Sequence, residues 1–82
     1  MIASVVATLE SDSAQRSQLL EKMAARPELE SGDFSPDATR IPITIDVKNR
    51  HKMEECTEWL RTQPGVLMVD VVFVHFEDGV QL

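Results

Sequence analysis

Tyrosine is absent from these 82 residues, and the aromatic complement is Phe34, Trp59, Phe73 and Phe76. So small a set leaves little for stacking nucleic-acid bases. Cations are scarce as well. Eight Lys and Arg against 14 Asp and Glu give a net charge of −6, the wrong sign for a phosphate backbone, so no nucleic-acid partner is expected. An acidic surface favours a basic partner instead. The one cysteine, Cys56, excludes an intramolecular disulfide and suits a reducing cytoplasm. The three glycines, Gly32, Gly65 and Gly79, stand apart, so no phosphate-cradling loop forms. His51, His75 and Cys56 show no His-x-x-x-His or Cys-x-x-Cys spacing, and neither a metal nor a cofactor is expected. No apolar run approaches the ~18 residues of a membrane span. Met1-Ile2-Ala3-Ser4-Val5 also lacks the basic start of a secretory signal. A cytoplasmic chain follows as the expectation. Its length makes one domain, residues 1–82, with one small core burying roughly 60% of the unfolded surface.

What is present is a long apolar run, Val66-Leu67-Met68-Val69-Asp70-Val71-Val72-Phe73-Val74, after the helix-stopping Gln63-Pro64-Gly65. Its valines and phenylalanine read as a central or near-central strand. Strict alternation puts Leu67, Val69, Val71 and Phe73 on one face. Val66, Met68, Asp70, Val72 and Val74 fall on the other.

The rest of the chain supplies partners. Ile2 to Leu9 alternates as a strand, with Ala3, Val5, Ala7 and Leu9 on one side. A helix follows from about Asp12 to Ala25, with Leu19, Leu20, Met23 and Ala24 on its inner face and Arg16 one turn earlier. Ser11 or Ser13 is its expected cap, and Arg26-Pro27 stops it. Glu28 to Phe34 reads as a short edge strand, and Ser35-Pro36-Asp37-Ala38 as a turn. Arg40 to Asp46 is the cleanest strand: Ile41, Ile43 and Ile45 point one way, and Pro42, Thr44 and Asp46 the other. Pro42 removes a ladder donor and asks for a bulge or an unpaired neighbour. Asn49 then caps a helix to about Thr62, with Met53, Cys56 and Leu60 inside and Trp59 at the edge. Glu77-Asp78-Gly79 closes the fold. An internal echo spaced by 37 residues sets Arg26-Pro27-Glu28-Leu29 on Gln63-Pro64-Gly65-Val66, Leu19 on Cys56 and Met23 on Leu60.

Two βαβ halves with right-handed crossovers predict an α+β, ferredoxin-like βαββαβ sandwich. Its four-stranded antiparallel sheet has the order 4-1-3-2, with both helices on one face. The other face then has no helix to cover it. Ser4, Val6, Thr8, Thr44, Asp46, Met68, Asp70, Val72 and Val74 are its expected residues, an apolar field with hydroxyls and two carboxylates. Such a face marks a protein or peptide contact. The residues alone leave two occupants open: a second copy docked sheet to sheet, or a foreign partner.

Chemistry is thin. Cys56 lies on an inner helix stripe and reads as a small core hydrophobe. Asp46 and Asp70 have no nucleophile, oxyanion site or deep pocket around them, so no enzyme is expected. Lys48-Asn49-Arg50-His51-Lys52 opens the second helix against the helix dipole, which suits an acidic partner but is read as a solvated face. Trp59 is read as a packing residue and His75 as solvent-facing.

The opening Ser4-Val5-Val6 and the ending Pro64-Gly65-Val66-Leu67-Met68-Val69-Asp70-Val71-Val72-Phe73 resemble the NapD family, cytoplasmic chaperones for the molybdenum-containing periplasmic nitrate reductase. Val74 and Phe76 depart from it, since family members turn polar sooner there. The resemblance implies a chaperone that binds the twin-arginine signal peptide of the reductase catalytic subunit until its cofactor is inserted. The peptide would lie as a helix on the open face, with Asp46 or Asp70 meeting a guanidinium. An ACT-like small-ligand or dimerisation module has the same element order. It often carries a glycine-rich turn after the first strand, where Glu10-Ser11-Asp12-Ser13 has no glycine.

Overall fold

The structure is a computed structural model, and it describes residues 1–32 and 38–75. Phe34, the turn residues 35–37, Phe76 and the closing residues 77–79 lie outside that range. Six elements follow one another: β1 (Ile2–Leu9), α1 (Ser13–Ala24), β2 (Leu29–Ser31), β3 (Arg40–Asp46), α2 (Arg50–Arg61) and β4 (Val66–His75).

Local chemistry sets the helix ends. The carboxylate of Asp12 accepts from the backbone N–H groups of Ala14 and Gln15 at 2.9 and 3.1 Å. Asp12, rather than either flanking serine, is therefore the cap. Its charge also suits the positive end of the helix dipole. Asn49 caps α2 through the N–H of Lys52 at 2.9 Å. The 37-residue echo extends to these caps, to both ends of the two helices, and to the starts of β2 and β4. After α2 the chain turns at Gly65, whose φ of 87° lies in the left-handed region. A Cβ there would sit 2.7 Å from Gln15 Oε1, so only glycine fits without strain.

The sheet order is β2-β3-β1-β4, the expected order read from the other edge, and every pairing is antiparallel. Ala3, Val5, Ala7 and Leu9 of β1 pack with Ile41, Ile43 and Ile45 of β3 under Leu19 and Met23 of α1 and Met53, Cys56 and Leu60 of α2. Ile41, Ile43, Ile45, Leu60 and Val5 are the largest fully buried side chains. Each contributes about 1.5–3 kcal/mol by leaving water. Pro42 causes no break, because the β1–β3 register runs unshifted through it. Its carbonyl accepts from Gly32 N–H at 2.9 Å, on the side where β2 has just ended. A residue's N–H and C=O point the same way in a strand, so the missing donor faces no strand neighbour.

β4 departs from the reading of its own sequence in two ways. It is an edge strand, as the expected sheet order requires although its composition reads as central, and among the described residues it pairs only with β1. Its side chains also do not alternate throughout, because ten residues of β4 run beside eight of β1. Register shifts between Ser4 and Val5, and between Thr8 and Leu9, leave Val72 and Leu67 without β1 partners. Each such bulge reverses the phase of what lies beyond it. The core-side partners are therefore Val66, Val69, Val71 and Val74, opposite Leu9, Ala7, Val5 and Ala3. Met68, Asp70, Phe73 and His75 lie opposite Thr8, Val6, Ser4 and Ile2.

Candidate functional site

The sheet face that no described helix covers reads row by row from the pairings. Asp46, Ile2 and His75 form one row, and Thr44, Ser4 and Phe73 the next, with Glu30 beyond Thr44. Pro42, Val6 and Asp70 follow, then Arg40, Thr8 and Met68. Seven of the expected residues share this face: Ser4, Val6, Thr8, Thr44, Asp46, Met68 and Asp70. Val74 does not. It is half-buried against the core opposite Ala3, because the bulge at Val72 shifts it by one phase. Val72 is the bulged residue itself, unpaired with β1 and 64% exposed.

Phe73 replaces Val74 on the open face. Strict alternation assigns it to the core, yet it is 55% exposed. Its ring stacks on His75 with centroids 6.2 Å apart and planes 10° from parallel. His75 therefore belongs to the open face as well. Arg40 at one corner adds a cation to a face otherwise bearing acidic charges. Ile2 was also missing from the expected set. Its place was legible, since β1 alternates without fault on its β3 side.

Asp46 and Asp70 do not act as a pair. They flank β1 on opposite sides, opposite Ile2 and Val6. Strand spacing and rise put them about 16 Å apart, beyond the reach of shared acid–base work. Neither carboxylate makes a hydrogen bond or ion pair among the described residues.

The remaining candidates lie elsewhere. Cys56 is buried among the helix residues, and burial raises its thiol pKa above the ordinary value, with Glu28 adding to the effect. A thiol held protonated is a poor nucleophile. His51 and Lys52 both pair with Glu55, at 3.2 and 3.5 Å, along an exposed helix surface. The guanidinium of Arg26 covers Trp59 at 4.3 Å and its Nε meets Glu28 at 3.3 Å, which makes Trp59 a half-buried packing residue. No cluster of metal-ligating side chains occurs among the described residues, and no helix there is long and apolar enough to cross a membrane.

Element order, strand order and a one-sided helix layer define a ferredoxin-like domain, one face of whose sheet carries no helix among the described residues. Among solved structures it is similar to the solution structure of the E. coli Tat proofreading chaperone protein NapD, with a TM-score of 0.75. The two are 18% identical, and the match covers 99% of this chain and 83% of that one. No protein-family model matches the chain, and no curated protein sequence matches it.

Proposed function

We propose that this protein is a non-enzymatic chaperone that binds the twin-arginine signal peptide of a periplasmic nitrate reductase catalytic subunit before export. It would act in the cytoplasm, where such peptides are made. The observation that carries this reading is the uncovered sheet face. Val6, Met68 and Phe73 offer apolar surface there, beside the carboxylates of Asp70 and Asp46, which have no partner among the described residues. An apolar segment preceded by arginines matches both features, and the net charge of −6 draws a cationic peptide in at long range. The likeness in fold to a Tat proofreading chaperone supports the same partner. On this reading the peptide lies as a helix across β1, its apolar side on Val6 and its arginines toward the carboxylates.

Calorimetric titration with a twin-arginine signal peptide from a nitrate reductase, beside its twin-lysine counterpart, tests the proposal. Saturable heat with the first that is reduced with the second is the expected result. A folded protein that gives no heat with either peptide would overturn it.

A further inference from the structure

We infer that the bulge at Val72 builds a cation subsite on the β4 side of the open face, with Phe73 as the stacking surface and Asp70 as the counter-charge for one arginine guanidinium. The inference rests on the peptide reading above. It adds a specificity residue, Phe73, and a preference for arginine over lysine at one peptide position.

The geometry comes from the register. Phe73 lies opposite Ser4 and Asp70 opposite Val6, so the two occupy consecutive rows of one face. Rows repeat every ~6.6 Å along a strand, a span that one planar guanidinium bridges when it lies on the ring and donates to the carboxylate. His75 is the next residue on this face in the other direction, and its ring stacks on Phe73. The ring face turned away from His75 is therefore the one toward the Asp70 row. Without the bulge, continued alternation would give that place to Val72, which has no π-face. Lysine would keep the charge but lose the planar stacking and the fork of donors.

A cationic foreign segment suits the site better than a second copy. A second copy carries the same net charge of −6 and would also meet repulsion if it paired along the sheet edge. The exposed large hydrophobics among the described residues, Leu67, Met68, Val71, Val72 and Phe73, all belong to β4. An exposed edge of this kind is the usual template for self-pairing. Asp70, however, stands near the middle of the strand. Antiparallel pairing of two copies along all of β4 would bring the two Asp70 carboxylates together, and like charges so placed repel. A cationic segment turns the same carboxylate into an attraction.

The test titrates the intact protein and its Phe73→Leu, Phe73→Trp and Asp70→Asn variants. The probes are a synthetic signal peptide with two adjacent arginines before its apolar segment, and versions with either arginine replaced by lysine. Melting curves establish that each variant folds. Phe73→Leu is expected to weaken the two-arginine peptide by roughly three- to thirty-fold and Phe73→Trp to retain or tighten it. One of the lysine peptides is expected to bind wild type and Phe73→Leu alike, which marks the arginine that docks here. A wild-type protein that binds no peptide removes the peptide reading and this subsite together. Binding that is unchanged in both Phe73 variants removes the subsite alone. A wild-type dimer in sedimentation that Phe73→Leu dissociates would give the surface to a second copy and overturn the inference.

Discussion

Phe73 stands opposite Ser4 while Val71 stands opposite Val5, so two consecutive residues of β1 face two residues of β4 that are not consecutive. Val72 lies between them, and everything after it changes face. The apparent continuity of Val71-Val72-Phe73-Val74 thus conceals a reversal. Val74 packs on the core, and Phe73 meets solvent.

That reversal separates two valines of identical chemistry. Val72→Asp is expected to change stability by less than about 0.5 kcal/mol, because Val72 is exposed and unpaired with β1. Val74→Asp places a carboxylate against the core beside Ala3 and is expected to cost about 2–3 kcal/mol. Urea unfolding of the two variants compares them directly. Equal losses would mean that β4 alternates without a bulge.

Much of the fold is legible because β1, β3 and α2 obey one period each. Of the four residues expected on the inner face of α1, by contrast, Leu19 and Met23 are buried and Ala24 is exposed. Ala3/Val5/Ala7 and Ile41/Ile43/Ile45 repeat every second residue. Met53, Cys56 and Leu60 follow helical spacing, and each set is buried as its period requires. β4 resists such a reading because nearly every residue in it is apolar. A one-residue slip leaves no mark where Val72, Phe73 and Val74 are all plausible on either face. The remaining signal was length: a run longer than the strand it must accompany has to bulge or overhang. The same uniformity makes an edge strand resemble a central one. The cap of α1 is not legible for a different reason: Ser11, Asp12 and Ser13 are all good caps, and only the backbone path selects Asp12.

Gly65 is a position where an added methyl group is costly. Alanine there must adopt a φ near +87° and displace the Gln15 side chain, so Gly65→Ala is expected to lose about 1–2 kcal/mol. For a domain of this length that lowers Tm by roughly 4–15 °C. Adding Gln15→Ala relieves the steric part and leaves the backbone part. Recovery in the double variant should therefore be incomplete when melting is followed by circular dichroism.

The buried thiol of Cys56 links stability to alkaline pH. Burial, with Glu28 second, raises its pKa above the ordinary thiol value, so the folded chain holds this proton more tightly than the unfolded chain does. The contribution is fully present below the unfolded thiol's pKa, about 8.5, and is lost as pH rises from there through the folded pKa. No tyrosine titrates in that interval. Unfolding free energy measured between pH 8 and 10 is expected to fall more steeply for wild type than for Cys56→Ala. Parallel slopes would show that the thiol is as easily ionised folded as unfolded.

Asp46 and Asp70 offer a way to ask how many arginines the open face engages. They lie on opposite sides of β1, about 16 Å apart by strand spacing and rise, too far for one guanidinium to touch both. Asp70→Asn is expected to weaken binding of the two-arginine peptide by about 1–3 kcal/mol, as loss of a charge-assisted contact does. Sites so separated and without a shared partner add their effects to within about 0.5 kcal/mol. The Asp46→Asn, Asp70→Asn double variant should therefore lose the sum of the two single losses in calorimetric titration. A marked shortfall from that sum would mean that the two carboxylates compete for a single arginine. No loss in either single variant would show that neither carboxylate meets the peptide.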